Sequence, residues 1–94
     1  MDQIEVIFFS GDSCPKCKAI KDTWEQAVSL NTKLDYRYVN TSVGDLALAR
    51  QYRIQALPTF LARNVKSEAE IGRLSGEVSK KMLLDFLLKH ATSE

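Results

Sequence analysis

Hydrophobic and polar residues follow two different periods along this chain, and the switches between them mark its elements. Ile4 to Phe9 (Ile-Glu-Val-Ile-Phe-Phe) is short, β-branched and aromatic. It runs into Ser10-Gly11-Asp12-Ser13, a cluster of turn formers, and so reads as a buried strand. Beyond Pro15, apolar or small residues recur at Cys17, Ile20, Trp24, Ala27 and Val28 with Lys18, Lys21, Asp22 and Glu25 between them, which is the helical period. Pro15 suits the first turn of that helix, where an amide has no intrahelical acceptor and proline's fixed φ is already helical. Tyr36-Arg37-Tyr38-Val39 reads as a second strand after the turn-like Asn31-Thr32-Lys33. Ser42-Val43-Gly44-Asp45 resembles a capping box with a shorter acid in its last place and predicts a helix reaching about Tyr52.

The second half predicts a hairpin and a closing helix. Ala56-Leu57-Pro58-Thr59-Phe60-Leu61-Ala62 reads as a strand with proline at its entrance, a position where a missing ladder donor is tolerated. The polar stretch 64–68 forms the turn, and Glu70-Ile71-Gly72-Arg73-Leu74 returns antiparallel. Ser79 then serves as N-cap of a helix whose Met82, Leu83, Phe86 and Leu87 share one face. The order strand, helix, strand, helix, strand, strand, helix makes an α/β domain: a right-handed parallel unit, then a hairpin and a covering helix. The segment from Ser10 to Lys16, at the C-terminal end of the first strand, is where such an open sheet places its chemistry.

Composition narrows the function. The chain has 94 residues, 45% of them hydrophobic, with 13 Lys plus Arg against 12 Asp plus Glu. A chain of this length forms a single domain, 1–94, that buries roughly two-thirds of its unfolded surface and needs no metal to hold it. A net charge of +1 removes the electrostatic footprint of a dedicated nucleic-acid binder. No apolar run approaches the roughly 20 residues of a membrane span, and Met1-Asp2-Gln3-Ile4-Glu5 lacks the basic start of a secretory signal. The expected setting is the cytoplasm, with no membrane partner and a monomeric state.

The chain's two cysteines, Cys14 and Cys17, stand three apart. Closing so short a loop removes little entropy from the unfolded state, so a structural staple is a poor use for them. Redox chemistry and metal ligation remain. At a helix N-terminus the free amides and the dipole favour a thiolate at Cys14, and Lys16, Lys18 and Lys21 add positive charge nearby, partly opposed by Asp12. Cys17, a turn further in, is more shielded, which suits it to attack a mixed disulfide formed at Cys14. A structural zinc site wants four ligands, and beyond the two cysteines the chain offers only His90, expected at the C-terminal end of the last helix where it meets the helix dipole. A metal shared across a dimer, or an iron-sulfur cluster bridged through Cys14, stays as the alternative from a different class, a noncatalytic sensor module. Trp24 is expected in the core, and Tyr36 and Tyr38 in strand packing.

These features together resemble the thioredoxin superfamily over nearly the whole chain. The tetrad Cys14-Pro15-Lys16-Cys17 follows the first strand, Leu57-Pro58-Thr59 resembles the family's cis-proline loop, and Gly76-Glu77-Val78-Ser79-Lys80 leads into a Leu83-Leu84-Asp85-Phe86-Leu87 helix. The resemblance implies a minimal βαβαββα thioredoxin fold, with a four-stranded mixed sheet flanked by helices. It implies a cis Pro58 beside the cysteines, a Leu57 backbone that receives an extended substrate segment, and Gly76 on the same surface. It implies a thiol-disulfide oxidoreductase that reduces protein disulfides, with the cysteine pair as its own redox group and a thioredoxin reductase or a glutathione system as donor. The departures are specific. Thioredoxins usually carry Trp-Cys-Gly-Pro-Cys, whereas Ser13-Cys14-Pro15-Lys16-Cys17 is closer to glutaredoxins and some disulfide oxidases. The buried aspartate of thioredoxins falls on Phe8, and the proline that kinks their active-site helix falls on Asp22. A glutaredoxin-like, glutathione-dependent reductase is the alternative within the enzyme class, although Ala56-Leu57-Pro58 and Ser75-Gly76-Glu77 match its glutathione-reading segments only in part.

Overall fold

The computed structural model describes residues 3–44 and 46–91. Strands β1 (Ile4–Ser10), β2 (Asp35–Asn40), β3 (Thr59–Asn64) and β4 (Glu70–Ser75) form one sheet in the order β2-β1-β3-β4. Helices α1 (Pro15–Leu30), α2 (Leu46–Gln51) and α3 (Lys80–Ala91) complete the βαβαββα order. β1 runs parallel to β2, with Phe8 opposite Tyr38, and antiparallel to β3, with Phe8 opposite Phe60. β3 and β4 pair antiparallel, with a register irregularity at Ala62/Arg63.

β1 is central and covered on both faces, which is why its sequence is an almost unbroken apolar run. Val6 and Phe8 lie in one core cluster with Cys17, Ile20 and Trp24 of α1 and Leu83, Phe86 and Leu87 of α3. Ile7 and Phe9 lie in the other, with Val39, Leu61 and Leu48, Ala49 and Tyr52 from the α2 region. Phe8 stacks on Phe60 at 4.5 Å between ring centroids and meets the edges of Trp24 at 5.4 Å and Tyr38 at 5.3 Å. The charged exception in β1 is Glu5, on the α2 side. Its carboxylate accepts from Arg63 Nε at 2.9 Å and from Arg37 Nε at 3.2 Å. A buried charge needs such partners, and Arg63 gains a second partner by donating to the Tyr52 hydroxyl at 3.2 Å.

Four expectations are revised. Ser42 does not cap α2, because its Oγ accepts the amide of Asp12 at 2.8 Å, and α2 starts at Leu46; Asp45 lies outside the described residues. β3 begins at Thr59, leaving 56–58 as a loop. Ser79 does cap α3, accepting the amide of Met82 at 3.1 Å, but Met82 itself is 43% exposed, since the face turned to the sheet passes through Leu83, Phe86, Leu87 and His90. His90 is buried at 4% exposure, edge-on to Phe86 and directly over Gly72, where an added Cβ would stand 3.3 Å from Nε2. Burial, reinforced by the neighbouring Lys89 charge, lowers its pKa below the usual 6.5. The neutral, packed ring replaces the expected charged contact with the helix dipole.

Candidate functional site

Cys14 is the N-cap of α1, with extended backbone angles (φ −128°, ψ 93°), and Pro15 opens the helix. The Cys14 carbonyl accepts the first helical bond, from the Lys18 amide at 3.2 Å. Its Sγ accepts the Cys17 amide at 3.1 Å, so the sulfur occupies the place that an N-cap oxygen fills elsewhere. Cys14 and Cys17 form a disulfide with Cα atoms 5.2 Å apart. Cys14 is 8% exposed and Cys17 2%, the ordering expected of an outer and an inner sulfur.

Two further loops are tied to each other. The Leu57–Pro58 peptide is cis, and the Pro58 carbonyl accepts the amide of Gly76 at 2.9 Å. Gly76 has φ 79°, a left-handed conformation that disfavours a side chain, with open space where a Cβ would stand. Thr59 Oγ1 donates to the Ala56 carbonyl at 2.6 Å and lies 3.1 Å from Ser75 Oγ, fixing the β3 entrance against the end of β4. Leu57 packs against both core clusters, including the one that contains Cys14 and Cys17. Gly11 makes this packing feasible, since a Cβ there would fall 2.9 Å from Leu57 Cδ1.

The basic stretch around the disulfide is divided among separate partners. Lys16 Nζ pairs with Glu77 at 2.7 Å, a contact that ties the start of α1 to the loop before α3, and this hydrogen bond lowers the pKa of Glu77. Lys21 sits 5.5 Å from the centre of the Tyr38 ring. Lys18 is exposed and makes no ion pair among the described residues. Asp12, expected to oppose these charges, has its carboxylate engaged by Asn40 Nδ2 at 2.7 Å. Sequence reasoning missed Glu77 as the partner of Lys16 and Gly11 as the seat of Leu57. An acid next to the loop glycine was the available signal for the first; nothing local signals the second. Among the described residues, no three His, Cys, Asp or Glu side chains are grouped to hold a metal. None of the described helices is long and apolar enough to cross a membrane.

A four-stranded mixed sheet with a disulfide at the N-terminus of the helix after β1, and a cis-proline loop at the entrance to β3, defines the thioredoxin class of folds. Residues 1–89 match the thioredoxin family model, and the chain belongs to that family. Among solved structures, thioredoxin f2 of Chlamydomonas reinhardtii superposes with a TM-score of 0.83 at 21% identity, covering all of this chain and 84% of that one. The thioredoxin of Malassezia sympodialis gives 0.84 at 22%, covering 97% of this chain and 77% of that one. A complex of ferredoxin:thioredoxin reductase with thioredoxin f2 gives 0.82 at 16%, covering 97% and 80%. At these identities the likeness is one of fold. No curated protein sequence matches the chain.

Proposed function

We propose that this protein reduces disulfides in protein substrates by dithiol exchange, with Cys14 as nucleophile and Cys17 as resolving cysteine. The observation that carries the reading is the Cys17 amide directed at Cys14 Sγ from the first turn of α1. Once the pair is reduced, that donor and the helix dipole favour a thiolate at Cys14, the species that attacks. The thiolate attacks one sulfur of the substrate disulfide, forming a mixed disulfide and releasing a substrate thiolate. Cys17, deprotonated, then attacks Cys14 Sγ and releases the second substrate sulfur. The substrate gains two electrons and two protons, and the Cys14–Cys17 disulfide described above is restored. Phe8 offers no base to Cys17, so the proton passes to water or to the substrate thiolate released in the first step.

The exposed edge of Leu57 and the loop around Gly76 receive the substrate backbone, and Lys16 moderates the charge near Cys14 through its pairing with Glu77. The reductant that recharges the pair is a thioredoxin reductase; a thioredoxin f2 of the same fold has been crystallised with ferredoxin:thioredoxin reductase. The reading is tested by insulin reduction, with turnover compared under a thioredoxin reductase and under glutathione. Turnover with the reductase is expected, and failure with every donor contradicts the proposal. Direction is read from the reduction potential of the pair, where about 30 mV corresponds to roughly 1.4 kcal/mol for a two-electron couple. A reductant falls near about −270 mV, and a value near about −120 mV makes the protein an oxidant.

A further inference from the structure

A groove of about 560 Å³ opens on the α2 side of the cis-proline loop. Leu46, Ala49, Ile54 and Leu57 give it an apolar lining, and Arg50 and Arg53 stand at it. The remaining arginines close on carboxylates: Arg37 and Arg63 on Glu5, and Arg73 on Glu70. Arg50 and Arg53 make no ion pair among the described residues, and both belong to this one groove. Arg50 lies in the last turn of α2, where a cation suits the helix dipole, but that accounts for one arginine and not for two. Arg53 has φ 53°, a left-handed backbone in which asparagine or glycine would sit with less strain. Its amide donates to the Arg50 carbonyl at 3.1 Å, keeping the two residues in one turn. Leu57 lines the groove and packs against both the cluster that holds Ala49 and the cluster that holds Cys14 and Cys17.

We infer that this groove binds a carboxylate flanking the substrate disulfide, an Asp or Glu side chain of the polypeptide being reduced, with its methylenes on the apolar lining and its oxygens on Arg50 and Arg53. Guanidinium forks match carboxylate geometry, and two of them beside an apolar surface select an acid over its neutral amide. The inference rests on the exchange reaction proposed above and adds the substrate preference that this face imposes.

The test uses the full chain, reduced beforehand, in single-turnover reactions with two disulfide-closed peptides that differ only in Glu or Gln beside one cysteine. Glutathione disulfide, which carries carboxylates of its own, and uncharged 2-hydroxyethyl disulfide are run alongside. The Glu peptide is expected to react about fivefold faster than the Gln peptide at low salt, as one or two partly exposed charge contacts allow, with the ratio falling toward one at about 1 M salt. In the double variant Arg50→Gln, Arg53→Asn the ratio is expected to fall to one at low salt as well; asparagine is chosen because it tolerates the left-handed backbone. Equal rates for the two peptides in the wild type, or a ratio that persists in the double variant, overturn the inference. An arginine-dependent rate seen with glutathione disulfide and absent from the peptide pair overturns the polypeptide as occupant. If wild-type protein fails to reduce even 2-hydroxyethyl disulfide, the exchange reading itself has failed, which is a separate result.

Discussion

Replacing Phe8 by aspartate puts an acid where the resemblance to thioredoxins expects one, and the packing of this chain predicts that it will not be tolerated. Phe8 is fully buried, its ring stacked on Phe60 and met by the edges of Trp24 and Tyr38, in the same cluster as Cys14 and Cys17. Truncating a buried phenylalanine costs about 3–5 kcal/mol through lost transfer energy and the cavity left behind. A carboxyl group left in that aromatic cage without a donor adds about 1–3 kcal/mol. The sum, about 4–8 kcal/mol, is comparable to the roughly 5–14 kcal/mol expected for a whole domain of this length. Phe8→Leu, which keeps most of the apolar volume, should cost about 1.5 kcal/mol. Urea unfolding of the oxidised variants, followed by far-ultraviolet circular dichroism, measures the difference. At a slope of about 1.5 kcal/mol per molar urea, the aspartate variant should unfold at least about 1.7 M earlier than the leucine variant, or be unfolded without urea. Midpoints within about 0.5 M of each other would mean that the carboxyl has found a partner and that position 8 can hold a base for Cys17, the opposite of the expected outcome.

Other outcomes follow from the site and from the last helix. Gly11→Ala pushes a Cβ against Leu57 Cδ1, the movable end of a side chain, so stability should change by less than about 1 kcal/mol while insulin reduction slows several-fold; unchanged turnover would remove the seat of Leu57 from substrate binding. Glu77→Gln frees the Lys16 charge and should lower the thiol pKa of Cys14, read from alkylation rate against pH, whereas Lys16→Glu should raise it; no shift in either variant would take Lys16 out of thiolate tuning. His90 has a pKa depressed by burial, so below about pH 6.5 the unfolded chain binds a proton that the folded chain refuses. Its contribution to stability is complete above that pH and declines as pH falls toward the lowered value. The urea midpoint should therefore drop between pH 7.5 and 5.5, and His90→Leu should flatten the drop; an equal slope in the variant would contradict this assignment.

The parts of the fold that depend on local chemistry were readable from the residues. β1 announced its burial on both faces by its apolar run, α1 its register by the spacing of Cys17, Ile20, Trp24 and Ala27, and α3 its start by the Ser79 cap. Where a residue had two uses, pattern alone could not choose. Ser42 has the chemistry of an N-cap, but the Asp12 amide thirty positions away takes its hydroxyl. His90 has the sequence position of a dipole partner, but Gly72 leaves just enough room on β4 for its ring to pack inward. At the site, the cysteine pair and its helix were legible from spacing, and the cis-proline loop from resemblance. The division of the lysines among Glu77, Tyr38 and solvent was not, since it depends on contacts between segments distant in sequence.

Attack by Cys14 precedes resolution by Cys17 in the proposed exchange, and trapping the intermediate reveals that order. Reduced Cys17→Ser and Cys14→Ser proteins are each mixed with a disulfide-closed peptide and analysed intact by mass spectrometry. Cys17→Ser is expected to accumulate a stoichiometric mixed disulfide at Cys14, with one peptide thiol free, while Cys14→Ser remains unmodified on the same timescale. Accumulation at Cys17 in the Cys14→Ser protein, or no adduct in either variant, would contradict that order.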